Sequence, residues 1–174
     1  MKPEDIPDFI YRGGLIEVDG TEHVIRDFCM VRKAKDFSLP EILVIQTKSG
    51  DIFEYDAQRV REVHGRAPDF IRPGVELFWR ETQSDMQKYN GVWRVDRYEV
   101  TPDPLRGKPH TKVELSLTRQ QGNTTTSLRR VFNAATMFPV KPDAQPGRLA
   151  HILQQDISVL KPPSSVRRPP NRKP

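Results

Sequence analysis

Four histidines and one cysteine are the residues of this chain best suited to catalysis or metal binding, and none has the neighbours such chemistry needs. His23, His64, His110 and His151 stand apart, with no His-x-Glu, no Glu-x-x-His and no second ligand at metal spacing. Cys29 falls within VIRDFCMV, a stretch that reads as a strand, where a buried and inert thiol is expected. There is no G-x-x-x-x-G-K-[ST] loop and no G-x-G-x-x-G, and Gly13-Gly14 precedes an expected strand where a phosphate site would need a helix. The expectation is a protein without catalytic residues, metal or cofactor.

Binding chemistry is better represented. Trp79, Tyr89, Trp93 and Tyr98 lie close in sequence to Arg80, Lys88, Arg94 and Arg97, and Arg119, Arg129 and Arg130 follow on later strands. Flat rings beside cations can stack bases and neutralise phosphate. Trp79 and Trp93 fall on apolar faces and read as core, whereas Tyr89 and Tyr98 read as surface. The same four aromatics could also form a cage for a methylated ammonium, with Asp85 or Asp96 at its rim. The last fourteen residues, KPPSSVRRPPNRKP, carry Lys161, Arg167, Arg168, Arg172 and Lys173 and no acid. Residues 1–160 balance at 23 basic against 23 acidic, so the whole net charge of +5 sits in this tail. Such a segment suits nonspecific contact with phosphates, or a disordered solubilising end. Up to Phe70 the chain is net −4, and from Ile71 to Leu160 it is net +4.

The elements that must position these residues are legible from a repeat. FEYDAQRV at Phe53 to Val60 is echoed by RVFNAATM at Arg130 to Met137, each an aromatic, an Asp or Asn, an Ala and a later apolar residue. Going outward, Gly14 pairs with Gly74, Val24-Ile25-Arg26 with Val92-Trp93-Arg94, and Ile42 and Val44 with Val113 and Leu115. The separation between partners grows along the chain, in ETQSDMQKYN, TPDPLRGKPHT and RQQGNTTTS, where strand connections tolerate insertion. Val113, Leu115 and Leu117 alternate with polar residues as one strand should, and EILVIQT, Lys48-Ser49-Gly50-Asp51 and IFEY read as a hairpin. Asp56 and Asn133 are each expected to cap a single turn before a last short strand.

Short strands with a one-turn helix before the last strand resemble the small barrels of the Src-homology-3-like and Tudor-like kind, over about residues 12–64 and 72–140. That resemblance implies binding, of peptide, methylated residue or nucleic acid alike. The expected fold is therefore mainly β: an N-terminal arm (1–11), a first small barrel (12–66), a second (67–140), a linker and amphipathic helix (141–160), and a basic proline-rich tail (161–174). In RLAHILQQDISVL, Leu149, Ile152, Leu153, Ile157 and Leu160 recur at helical spacing after Pro146, and that face should pack on the barrels.

No apolar run approaches the ~20 residues of a membrane helix. MKPEDIPDFI lacks the basic start and apolar run of a secretory signal, and a single cysteine excludes an internal disulfide. A cytoplasmic setting without membrane contact is expected. The sequence thus points to a non-catalytic nucleic-acid-binding or nucleoprotein-assembly subunit using the second barrel and the tail. The alternative is a protein-protein adaptor or inhibitor acting through a barrel edge or the C-terminal helix.

Overall fold

The computed structural model describes residues 2–32, 41–102, 111–142, 145 and 147–160. The fold is mainly β, with two five-stranded antiparallel sheets and one short helix. The chain divides into two units, one joining Met1–Val63 to Asp143–Pro174 and the other spanning His64–Pro142. Among the described residues no helix is long and apolar enough to cross a membrane.

In the first unit the strands are β1 (Leu15–Val18), β2 (Thr21–Val31), β3 (Ile42–Thr47), β4 (Ile52–Glu54) and β5 (Val60–Glu62), in the order β4-β3-β2-β1-β5. Alternation of side chains across each strand sends Ile16, Val18, Ile25, Leu43, Ile45, Phe53 and Val60 to one face, where they form a buried core. In the second unit β6 (Glu76–Trp79), β7 (Gly91–Pro102), β8 (Thr111–Gln121), β9 (Thr124–Val131) and β10 (Met137–Pro139) take the order β10-β6-β7-β8-β9. Its core is Leu77, Trp79, Trp93, Val95, Val113, Leu115, Leu117 and Met137. Read from matching ends, the two orders are the same. Among the described residues no ladder joins the outer strands of either sheet, so each is seen as an open sheet.

Three backbone devices recur at equivalent places. The second strand of each sheet carries a register shift, between Ile25 and Asp27 in β2 and between Val95 and Arg97 in β7. Such a bulge bends a long strand so that it can serve both halves of a curved sheet. Before each first strand a glycine with φ near +85°, Gly13 at 84° and Gly74 at 88°, donates its N–H to the residue just before the bulge, to Ile25 O at 2.8 Å and Val95 O at 2.7 Å. A Cβ would strain both positions. The third device is the closing turn. Asp56 Oδ1 accepts from Gln58 N–H and Asn133 Oδ1 from Ala135 N–H, each at 2.9 Å, and both turns lead into the last strand of their sheet.

These contacts correct the sequence pairing. Gly13, and not Gly14, is the partner of Gly74, and Ile25 matches Val95 and not Trp93. The extra length of the second copy lies in two places. The Asp19-Gly20 turn between β1 and β2 is replaced by a loop from Arg80 to Asn90, and the β8–β9 hairpin is longer than β3–β4. No growth falls between the second and third strands, although TPDPLRGKPHT looked like an insertion. Leu43 and Val113, each four residues before the partner of the bulge-flanking residue, stay in step.

The helix α1 (Arg148–Gln155) belongs to the first unit. Leu149 and Leu153 are buried with Val44 and Ile52 on the face of the first sheet opposite its core, flanked by Cys29, Val31 and Ile42. Its N-terminal N–H groups need acceptors, and no side chain of its own first turn supplies one. Asp27, 1% exposed, does so from β2: its Oδ2 accepts from Leu149 N–H at 3.2 Å. Its Oδ1 accepts from Arg12 Nε at 2.8 Å and from Phe28 N–H at 3.0 Å. The bulge turns Asp27 toward the helix, and a carboxylate at a helix N-terminus is favoured by the dipole. The helical reading up to Leu160 is shortened here. Asp156 ends α1, because its carboxylate takes the Ser158 N–H at 2.9 Å and starts a separate 3-10 turn at Ile157–Val159. Ile157 is 42% exposed, whereas Val159 and Leu160 pack against the cluster of Leu149, Leu153, Val44 and Ile52.

Candidate nucleic-acid interface

The residues named from sequence as binding candidates in the second unit are divided between opposite faces of its sheet. On the core side, the loop from Arg80 to Asn90 folds over the end of the sheet, closed by two bonds between Asn90 and Glu81: Glu81 N–H to Asn90 Oδ1 at 2.7 Å, and Asn90 Nδ2 to Glu81 O at 3.2 Å. A one-turn 3-10 helix, Gln87–Tyr89, sets Tyr89 flat on Trp79, with centroids 5.3 Å apart and planes 7° from parallel. Trp79 and Trp93 are buried as expected, and each indole N–H is bonded, to Glu81 Oε1 at 2.9 Å and to Tyr89 O at 2.7 Å.

Cations cover these rings. Arg119 lies 4.4 Å over Trp93 and donates to Asn90 O at 3.0 Å and Lys88 O at 3.3 Å, tying down the last turn of the loop. Arg130 lies 5.0 Å from Tyr89 and 5.8 Å from Trp79, and Lys88 lies 5.0 Å over the Tyr89 ring. Arg119, Arg130, Lys88 and Tyr89 therefore hold the fold together by cation–π contact. With its rings stacked or buried, this cluster presents no ammonium cage. Tyr98, opposite Leu115 in the ladder and so on the same side as the core, is 37% exposed.

The other face is different. Phe78 pairs with Phe138 on β10 and with Val92 on β7, so the three form one row across adjacent strands. They are 42%, 43% and 41% exposed. Along the same face Arg94 binds Asp96 Oδ1 at 3.4 Å, Arg97 binds Ser116 Oγ at 3.3 Å, and Arg129 lies 3.6 Å from Glu114. All three arginines are exposed. Arg80, just past β6, is exposed too, its N–H bonded to Thr136 O. Arg167, Arg168, Arg172 and Lys173 lie outside the described residues.

The apolar row was not anticipated from sequence. In ELFW and MFP the phenylalanines sit beside core residues, and composition alone does not say which of two adjacent rings faces outward. The signal lies in the ladder: the first-unit residues equivalent to Phe78, Val92 and Phe138 are Glu17, Glu22 and Arg61. Charged residues at a solvent-facing position need no explanation, but paired exposed aromatics do.

The remaining candidates for chemistry are in the first unit. Burial, with help from Asp27 and against Arg12, pushes the Cys29 thiol up to about 11, which keeps it protonated and unreactive at neutral pH. His23 is buried with Nε2 unpartnered, and burial, opposed by Asp51, holds its pKa below the ordinary value. No protein-family model, curated protein or solved structure matches the chain.

Proposed function

We propose that this chain is a non-catalytic nucleic-acid-binding subunit that takes a single strand on the outer face of its second sheet. The observation that carries the reading is the exposed Phe78–Phe138 pair, flanked along β7 by Arg94 and Arg97 and across the face by Arg129. Neighbouring rings on a sheet are a platform for successive bases, and the arginines are placed to meet phosphates. The small-barrel resemblance of the strand order and closing turn is in keeping with this, and the basic tail at 161–174 would add phosphate contacts in a cytoplasmic setting. Asp96, Glu99, Glu114 and Glu76 share the face with the arginines. A surface of mixed sign is poorly suited to a duplex held by charge alone, so stacking must supply much of the affinity, which favours a single strand with unpaired bases.

The test is a titration of the full chain into a fluorescent single-stranded oligonucleotide at several salt concentrations. Phe78→Ala and Phe138→Ala should each weaken binding by roughly 5- to 150-fold, the loss of about one stacked base at ~1–3 kcal/mol. Gln at Arg94, Arg97 and Arg129 should reduce the slope of log affinity against log salt by ~0.7 per phosphate contact. Absence of salt-dependent binding at ~50 mM salt would sink the reading. A protein adaptor is the second reading, favoured by the same apolar row and interspersed carboxylates, which match the anatomy of a protein interface. An adaptor working through the apolar face of α1 is less well supported, since the first sheet occupies that face.

A further inference from the structure

Arg130 occupies a position where this fold otherwise puts a core ring. In the ladder of the second sheet Arg130 pairs with Leu115, and in the first sheet the equivalent pair is Phe53 with Ile45, both fully buried. Among the described residues no carboxylate pairs with the Arg130 guanidinium. Its protein hydrogen bond runs from Nη1 to Arg129 O at 3.3 Å, and its Nε is buried without a partner. Arg130 is half-buried, and its charge is met by the faces of Tyr89 and Trp79 and by no carboxylate among the described residues, which leaves the guanidinium able to receive a ligand anion.

Beside it is an open hollow of about 370 Å³, bordered by Trp79, Met86, Val131 and Met137 as well as Arg130 and Thr136. Thr136, whose Oγ1 is a second buried polar atom without a partner, borders the same hollow. The size is at the lower end of the ~300–1,000 Å³ typical of ligand sites. We infer that this hollow is a binding site for a carboxylate carried on a small apolar body. The planar guanidinium of Arg130 matches a planar carboxylate, and the thioethers and valine suit a hydrocarbon or aromatic body. Glu81, Glu114 and Arg129 also border the hollow, so with Arg130 its charges balance, which suits a monocarboxylate better than a dianionic phosphate. Arg130 lies on the opposite face from Phe78 and Arg94, but Arg129 borders both the hollow and the outer face, so the variants that test this site are confined to Arg130.

The test is a heteronuclear NMR titration of the full chain with benzoate, with benzamide as the neutral control. Benzoate should give saturable shifts centred on Thr136 and Met137, and benzamide should bind at least about tenfold more weakly. Arg130→Phe restores the residue of the first sheet, should fold, and should weaken benzoate binding by at least about tenfold. Arg130→Gln removes the charge by a different route and should show the same loss should the Phe variant not fold. N-acetylglycylphenylalanine with a free or an amidated terminus distinguishes the source: tighter binding of the free acid than of benzoate indicates a peptide terminus, and the reverse a free small acid. No saturable shift up to roughly 10 mM benzoate, equal binding of benzamide, or unchanged affinity in the folded Arg130 variants would overturn the inference.

Discussion

The first and second sheets share strand order, bulge, entry glycine and closing turn, yet their outer faces have opposite characters. In the first, Val44 and Ile52 are apolar and buried under α1, and Asp27 behind the bulge anchors the helix. At the equivalent places the second has Glu114, Arg129 and Arg97, all reachable by solvent, and has exchanged Glu17, Glu22 and Arg61 for Phe78, Val92 and Phe138. The inward residues and backbone devices make the scaffold. What the outward residues are decides whether a face is closed by the chain itself or left open to a partner.

Exchanging residues at equivalent places gives direct tests. The largest effect should come from Asp27→Ala, which leaves Arg12 and the N-terminus of α1 without their buried acceptor. A cost of roughly 3–5 kcal/mol in urea unfolding is expected, with loss of hydrogen-exchange protection in α1. Arg97→Ala, at the twin position but exposed, should change stability by less than about 0.5 kcal/mol. Leu153→Ala should cost roughly 2–5 kcal/mol, and equal stability of variant and parent would show that α1 does not close the first sheet. Asp56→Ala and Asn133→Ala should each cost about 1 kcal/mol, since each removes the same cap from the same turn. A marked inequality between them would show that the two closing turns are not equivalent.

The smallest effect is on pH dependence. Burial favours neutral His23, so its folded pKa lies below the usual 6.5 and the unfolded chain binds the proton more readily. This contribution to stability is complete above about pH 6.5 and declines as the pH falls through and below it. Unfolding midpoints at about pH 7.5 and pH 5.5 should therefore differ less in His23→Gln than in the parent. Trp93, the equivalent residue of the second sheet, does not titrate.

Much of this architecture was legible in the sequence because it depends on local chemistry. Alternation in Val113, Leu115 and Leu117, the Asp and Asn of the closing turns, and the apolar spacing of Leu149 and Leu153 each act within a few residues. What was hidden depends on register. Pairing Gly14 with Gly74 slips the first strands by one residue, which sets Glu17 against Leu77 and hides Phe78, and the longer loop before β7 puts Ile25 against Trp93 in place of Val95. Grouping rings and cations by nearness in sequence likewise joined Tyr89 to Arg94 and Arg97, which the strands place on opposite faces.

The bond from Leu149 to Asp27 spans 122 residues, and the second unit lies wholly between them. During synthesis, therefore, the first unit begins before the second but is completed after it. The second can form its sheet while the first still shows Val44 and Ile52 to solvent, uncovered until α1 leaves the ribosome. A newly made chain thus passes through a stage at which its two halves have exchanged roles, the later one finished and the earlier one still adhesive. Translation pauses placed between the codons for Val140 and Arg148 would lengthen that stage and its exposure to aggregation.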